Sequence, residues 1–468
     1  MTQLWQLGAL ELANQIRNKE VSSREVLEAH LARVEQCNGA LNAIVRLLDD
    51  EARSAADAAD AAVAAGDTLG PLHGVPCTVK ENIDLAGTPT TQGVKAFADA
   101  IATIDAPSVE RMRAAGAIPF ARTNLPDFGL RVHTDSELHG ATHNPWNPEV
   151  TAGGSSGGEG SAISSGMSPI GIGNDIGGSL RNPAHCCGIS SLKPTVGVIP
   201  MATVVPPEDM TLSEQLMVVE GPMARRVADV RAGLEILAGQ HWRDPRSVTA
   251  VLIDADQGKR LRIAVMTDPP GGTTDAGIAG AIRSVADRLS DAGHEVIDAT
   301  PPNYERAIDL WRMLMIDDVR AQKELLPLVL GPDALALLTM FDESSEPTRL
   351  PDTHLMHAER YALMRQWAAF HQDFPVLLSP TWAQRAFAPG ADLDPDTGIE
   401  MMTNTIRPVL PSNLLGTPSV VTPAGVVDGL PVGVQVMGGH FTDLRCLTVA
   451  AEIESLVGSI TPIDPITA

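Results

Sequence analysis

Three short stretches carry residue types that could do chemistry together. Gly153–Gly158 reads GGSSGG and holds the pattern G-x-S-x-G in two registers, centred on Ser155 and Ser156. On an α/β-hydrolase that pattern marks a nucleophile elbow, to be followed by an acid and a histidine. A flexible glycine-rich linker reads the same way. A Walker phosphate loop does not, because no Lys-Ser/Thr pair follows. Further on, Asn174–Arg181 reads NDIGGSLR. Two glycines before a serine let the backbone approach a bound group closely, since no Cβ intervenes. Successive N–H groups can then converge on one oxygen, and each such donor typically gives a transition state about 3 kcal/mol. An ordinary Gly-Gly turn is the plain alternative. The third stretch is VPCTVK, ending at Lys80. A lysine closing a strand is usually solvated. To work as a base it must be neutral, whereas a free lysine titrates near about 10.4. Burial among hydroxyls, away from any carboxylate, lowers that by several units. Glu81 and Asp84 follow closely, and either one paired with Lys80 would defeat the scheme.

The elements that must position these residues read as an α/β protein with a mostly buried sheet. The first 65 residues read as helices: Ala9, Leu12, Ala13 and Ile16 make one apolar stripe, Ser22 and Glu25 form a capping box, and Glu51 to Ala65 runs to Gly66. From Gly70 onward, β-rich pieces such as Gly74–Lys80 alternate with glycine-rich loops and helices such as Ser108–Ala115. Gly221–Gly239 reads as an amphipathic helix with proline near its first turn. Leu261–Met266, Ala276–Ala292 and Glu295–Ile297 read as strand, helix, strand. Ala307–Phe341 is apolar, helical and rich in methionine, suited either to a pocket wall or lid or to packing on the core. Phe374–Pro380, Asn413–Pro423 and Gly429–Gly438 read as strands.

Composition narrows the partners. The chain has 468 residues, 44% hydrophobic and 20% charged, with a formal net charge of −24. So acidic a surface disfavours nucleic acid and anionic membrane as partners. No apolar run approaches the roughly 18 residues that span a bilayer, and Met1–Gln15 lacks a secretory leader. Five scattered cysteines read as reduced, which implies a cytoplasmic protein. Adjacent Cys186 and Cys187 invite a metal reading, but no second ligand pair stands at suitable spacing, and buried apolar residues account for them better. No metal or cofactor is called for.

Taken in order, GVPCTVKEN, then TAGGSSGGEGSAISSGMSPIGIGNDIGGSLRNPAHCCGISSLKPT, resemble the amidase signature family, and GPMARRVADV, FPVLLSPT, SNLLGTPSVVTPAG and LPVGVQVMGG resemble its later landmarks. The signature segment is similar to that of fatty-acid amide hydrolases. The resemblance spans about Leu4 to Gly438 and beyond. It implies a large mixed sheet flanked by many helices, organised as a single domain over 1–468: N-terminal helices over 1–65, a core with the signature over 66–240, and the rest of the core with substrate-pocket helices over 241–468. It implies a serine amidohydrolase cleaving an amide, ester or carbamate, with Ser179 as nucleophile, Ser155 as bridging serine after a cis bond from Gly154, and Lys80 as base. The oxyanion donors match the N–H groups of Ile176, Gly177, Gly178 and Ser179, while Ser156, Asp175 and Arg181 match supporting positions. The partner implied is a small-molecule amide, and a homodimer is one assembly to consider. Asn174 departs from the usual Ser, Thr or Asp, and Cys186–Cys187 from an aromatic–Cys pair. The alternatives are the subunit of a glutamyl/aspartyl-tRNA amidotransferase that releases ammonia from glutamine, a Ser-His-Asp esterase drawing on His185, His294 or His440, and a non-enzymatic binding module.

Overall fold

Short β-branched runs separated by helices produce thirteen strands among residues 3–206, 208–252, 254 and 258–466, the part of the chain described by the computed structural model. They are β1 Ile44–Leu47, β2 Pro76–Lys80, β3 Ile118–Thr123, β4 Asp135–Ser136, β5 Gly140–Ala141, β6 Ile170–Asp175 and β7 Ser190–Lys193. Then come β8 Val219–Ala224, β9 Arg262–Val265, β10 Glu295–Asp298, β11 Val376–Pro380, β12 Ser419–Val427 and β13 Leu430–Gly438. Eleven share one sheet in the order β1-β3-β2-β6-β8-β7-β12-β13-β11-β9-β10, and β4 pairs with β5 apart from it. The sheet is mixed: β2 runs parallel to β3 and β6, whereas β8 is antiparallel to β6 and β7. Strands β2, β3, β7, β8 and β11 are buried at every position, as befits strands covered on both faces.

Side-chain alternation along β2 positions the site. Cys77 and Val79 join the main apolar cluster with Ile170 and Ile172, while Thr78 and Lys80 turn to the other face and meet polar groups. At the N-terminus the expected stripe of Ala9, Leu12, Ala13 and Ile16 is buried on helix Ala9–Arg17. The Ser22–Glu25 capping box opens helix Ser23–Leu41. Asp229 accepts hydrogen bonds from the N–H groups of Ala9 and Leu10, docking the first helix. A second apolar cluster gathers Leu310, Leu314, Trp367, Trp382 and Leu414, where helices Tyr304–Ala321 and Leu350–Asp373 cover the sheet. No helix among the described residues is long and apolar enough to cross a membrane.

Three local readings change. The first 65 residues are not all helical, because Ile44–Leu47 forms β1 at the sheet edge, antiparallel to β3. The helix expected over Gly221–Gly239 is strand β8 followed by helix Val227–Leu237. A strand buried on both faces has no polar alternation to reveal it, so period alone cannot separate it from a helix. A Cβ on Gly221 would lie 2.1 Å from Leu192 O, so glycine allows β8 to fit against its neighbour. Finally, the strand expected over Asn413–Pro423 starts as the end of helix Leu410–Leu415, which stops at Gly416 with φ 74° before β12 begins.

Candidate active site

Three segments of different origin converge beside the end of β2. The amine of Lys80 is fully buried, with Nζ 2.7 Å from Ser155 Oγ and 2.6 Å from Asn174 Oδ1 on β6. Ser155 follows a cis peptide bond from Gly154. Its loop packs tightly, since a Cβ on Gly154 would lie 2.6 Å from Val132 C. Gly129, at φ 69°, sits against Ser155 as well, and a Cβ there would lie 3.0 Å from Ser155 Oγ. Ser156 ties this loop to the next: its N–H donates to Ser179 O at 3.3 Å, and its hydroxyl lies 3.4 Å from Asn174 O.

Burial is the main force on Lys80 and lowers its amine to about 7, against weaker opposing attraction from Asp175 and Glu159. Neither sequence neighbour pairs with it. Glu81 accepts from Thr91 Oγ1 and lies 2.6 Å from His139 Nε2. Asp84 accepts from Thr90 Oγ1 and the Val204 N–H. Both polar partners of Lys80 are therefore uncharged. Asn174 Oδ1 can only accept, so it takes an N–H from a neutral amine and leaves the lone pair for the Ser155 hydroxyl.

The loop after β6 carries Ser179, which is 8% exposed where Ser155 is 2% exposed. Asp175 organises it by accepting from the N–H groups of Gly178 and Leu180 and from Asn413 Nδ2. Arg181 grips the same carboxylate through Nε and Nη2 at 3.0 and 2.9 Å. Burial alone would raise Asp175, but the adjacent Arg181, with Asn413 and Lys193, holds its carboxyl well below the usual range. Arg181 is held in turn by Val409 O, Ser412 Oγ and Gln435 Oε1. Gly178, at φ 99°, is required, since a Cβ would lie 2.8 Å from Val409 Cγ2. Its N–H is engaged by Asp175, which narrows the expected oxyanion quartet to Ile176, Gly177 and Ser179. Trp311 Nε1 donates to Ile176 O at 2.9 Å, and a Cβ on Gly177 would meet its ring at 2.9 Å.

Ser179 lies where two cavities meet. One, of about 180 Å³, is the more polar of the two and is lined by Ser155, Ser179, Asn174, Asn82 and Glu220, with Ile83, Met201 and Val218 among its apolar groups. The other, of about 170 Å³, is walled mainly by apolar groups including Phe128, Val132, Ile308, Trp311, Met315 and Phe341. The methionine-rich helices over 307–341 thus supply a pocket wall. Ser155 lines only the first cavity, and no hydrogen bond joins its hydroxyl to that of Ser179 among the described residues.

The sequence did not single out Glu159, buried behind Lys80, where Thr78 and Thr123 donate to it and burial pushes it up to about 7. A lone carboxylate amid the small residues of GGEGSAIS was the available signal. The histidines of the esterase alternative are engaged elsewhere: His185 accepts from the Gly433 N–H, His294 meets Glu452, and His440 meets Leu415 O. Cys186 and Cys187 are fully buried in an apolar cluster with Ala152, and burial pushes both thiols up, away from the thiolate a metal would need.

Comparisons with known proteins show the family. The family model described as Amidase matches residues 25–447. Indoleacetamide hydrolase of Bradyrhizobium diazoefficiens is 38% identical, covering 97% of this chain and 87% of its own length. A glutamyl-tRNA(Gln) amidotransferase component from Salinispora tropica is more distant, at 31% identity over 99% of each chain. Among solved structures, a bacterial aryl acylamidase of the amidase signature family superposes with a TM-score of 0.84, at 26% identity over 97% of each chain.

Proposed function

Because this chain belongs to the amidase family and is a hydrolase of amide C–N bonds, we propose that Ser179 is its nucleophile, Ser155 its proton relay and Lys80 its base. The observation that carries this reading is the buried Lys80 amine, 2.7 Å from Ser155 Oγ with no carboxylate partner. Neutral Lys80 takes the Ser155 proton as Ser155 takes that of Ser179, and Ser179 Oγ bonds to the substrate carbonyl carbon. The second link of that chain, Ser155 to Ser179, closes when substrate fills the cavity, since catalytic hydrogen bonds often tighten only in the complex. The new oxyanion is held by the N–H groups of Ile176, Gly177 and Ser179. The C–N bond then breaks, the leaving nitrogen receives the proton back through Ser155, and an ester on Ser179 remains. Water gives a proton to the same relay, its oxygen bonds to the acyl carbon, and the carboxylic acid departs as Ser179 recovers its proton. Ser156, Asp175 and Arg181 hold the geometry and touch no reacting atom.

The two cavities divide the substrate. Ser155 must reach the leaving nitrogen and lines only the polar cavity, so the amine side lies there and the acyl group occupies the apolar one. That favours an aryl- or alkyl-acetamide type of substrate, with related esters and carbamates open to the same chemistry. The continuous eleven-stranded sheet supports treating 1–468 as one domain. The net charge of −24 supports a small molecule over a nucleic acid as partner, and five free buried cysteines support a cytoplasmic setting.

Ser179→Ala tests the assignment. Turnover of phenylacetamide should fall by about 10⁴-fold or more while the circular-dichroism spectrum and melting temperature stay those of the wild type. Undiminished hydrolysis by the purified variant would remove Ser179 from the mechanism.

A further inference from the structure

The carboxyl group of Glu159 lies inside the protein with no part in the steps described above. It stands on helix Gly157–Ser164, which begins directly after Ser155 and Ser156, and it is fully buried. Thr78 Oγ1 donates to its Oε2 at 2.6 Å, and Thr123 Oγ1 donates to its Oε1 at 2.9 Å. Those two threonines flank the base. Thr78 precedes Lys80 by two residues on β2, and Thr123 on β3 is paired with Lys80 itself, so all three side chains share one sheet face. Gly171 on β6, paired with Thr78, completes the seat, since a Cβ there would lie 2.0 Å from Glu159 Oε2. No lysine, arginine or histidine hydrogen-bonds to Glu159 among the described residues. Alternation sends Arg122 to the opposite face, where the carbonyls of Val79, Lys80 and Ile83 hold it. A buried carboxylate is costly unless an opposite charge answers it.

Resting on the reading of Lys80 as the base, we propose that Glu159 is a positioning residue for catalysis, the carboxylate that stabilises the ammonium ion Lys80 becomes on taking the Ser155 proton. Glu159 touches no reacting atom and exchanges no proton with substrate. The proton moves only from Ser155 Oγ to Lys80 Nζ and back, while the fixed charge acts through an interior where charges are poorly screened. Asp175 is the other carboxylate that attracts Lys80, and it does so more strongly. Its charge, however, is already met by Arg181. Glu159 has only hydroxyl donors, so its charge is left for the amine. Burial pushes its carboxyl up to about 7, against the opposing pull of Thr78, Thr123, Lys80 and Arg122. The two groups thus titrate as a pair near neutrality. Cys77, on the other face of β2, stays a neutral thiol because burial pushes it up to about 12.

Glu159→Gln tests this role. The amide fits the same seat, because Thr78 can turn its own proton toward Ser168 Oγ or Ile170 O and accept instead. With phenylacetamide, the rising kcat/KM limb should move down by about one unit, since Lys80 loses a charge that favours its ammonium form. The plateau above the limb should fall about threefold to tenfold, because a weaker base draws the proton less. A residue that only held the fold would lower the rate at every pH and leave the limb in place. Asn174→Asp serves as the control, moving the limb the opposite way. A limb that Asn174→Asp raises and Glu159→Gln leaves unmoved overturns the inference and keeps Lys80 as the base. A limb that neither variant moves overturns both. If Glu159→Gln does not fold, Thr123→Val takes its place. Losing one donor raises the pH at which Glu159 ionises, so the rate should drop about threefold at about pH 7 and return to that of the wild type by about pH 9. Equal losses at both pH values, or none at either, overturn the inference.

Discussion

Lys80 and Lys193 invite comparison. Each closes a strand of the same sheet, β2 and β7 respectively, each is fully buried, and burial lowers both amines to about 7. Their surroundings differ. Lys80 contacts a hydroxyl and an amide oxygen in the wall of a cavity, so its lone pair meets a proton that can move onward. Lys193 donates to the carbonyl of Pro194 at 2.9 Å, a group with no proton to give, and the nearby Asp443 is taken up by the N–H and hydroxyl of Thr195. A neutral amine at physiological pH is therefore not sufficient for a base. What separates the two lysines is a hydroxyl partner in the wall of a cavity.

The hardest test of that contrast is substitution at position 80. Lys80→Met keeps the volume and apolar stem but removes the lone pair, so kcat/KM should drop by about 10⁴-fold. Stability should hold or rise, because a buried amine that sheds its proton on folding weakens the folded state at neutral pH. Retention of more than about one hundredth of wild-type activity would mean that some other group takes the Ser155 proton.

A smaller effect separates the lysines by pH. Both amines release a proton near 7 in the folded chain but only near about 10.4 when unfolded, so the unfolded state holds more protons in that window and stability should climb with pH across it. Both lysines contribute to that slope, yet only Lys80 should appear in catalysis, as a kcat/KM limb rising through about pH 7. Asn174→Asp would set a carboxylate against the amine, favour its charged form and move the limb up by about one unit or more. Activity at pH 7 should then fall about tenfold, with recovery at higher pH. A limb that stayed in place would show that it belongs to another group, with Glu159 the first to suspect.

How far the sequence disclosed this site depended on distance along the chain. Lys80, Ser155 and Ser179 were legible because local patterns mark them: a strand end, a double G-x-S-x-G and a Gly-Gly-Ser turn. The two-residue alternation along β2 correctly sent Lys80 away from Cys77 and Val79. Asn174 stood out as a departure, but its hold on the amine depends on β6 lying beside β2, which no local pattern specifies. The partners of Arg181 were out of reach for the same reason, since Ser412 lies 231 and Gln435 254 positions away. Glu220 lay just ahead of the helix expected over Gly221–Gly239, and only the antiparallel pairing of β8 with β6 sets it opposite Asn174.

The mildest expected effect is also the most discriminating. Lys193→Met removes an amine with the same titration range as Lys80, so a catalytic role for any buried neutral lysine would predict a large kinetic loss. The structure points instead to a local structural role. Pro194 O would lose its donor, a cost on the order of 1–3 kcal/mol set against relief from burying the amine. Thermal melts should register that change, while kcat should stay within about threefold of wild type, a range typical of a residue outside the reacting groups. The rising kcat/KM limb should remain near pH 7. If it disappeared together with activity, protons would be leaving the site through Lys193, and the contrast drawn between the two amines would not hold.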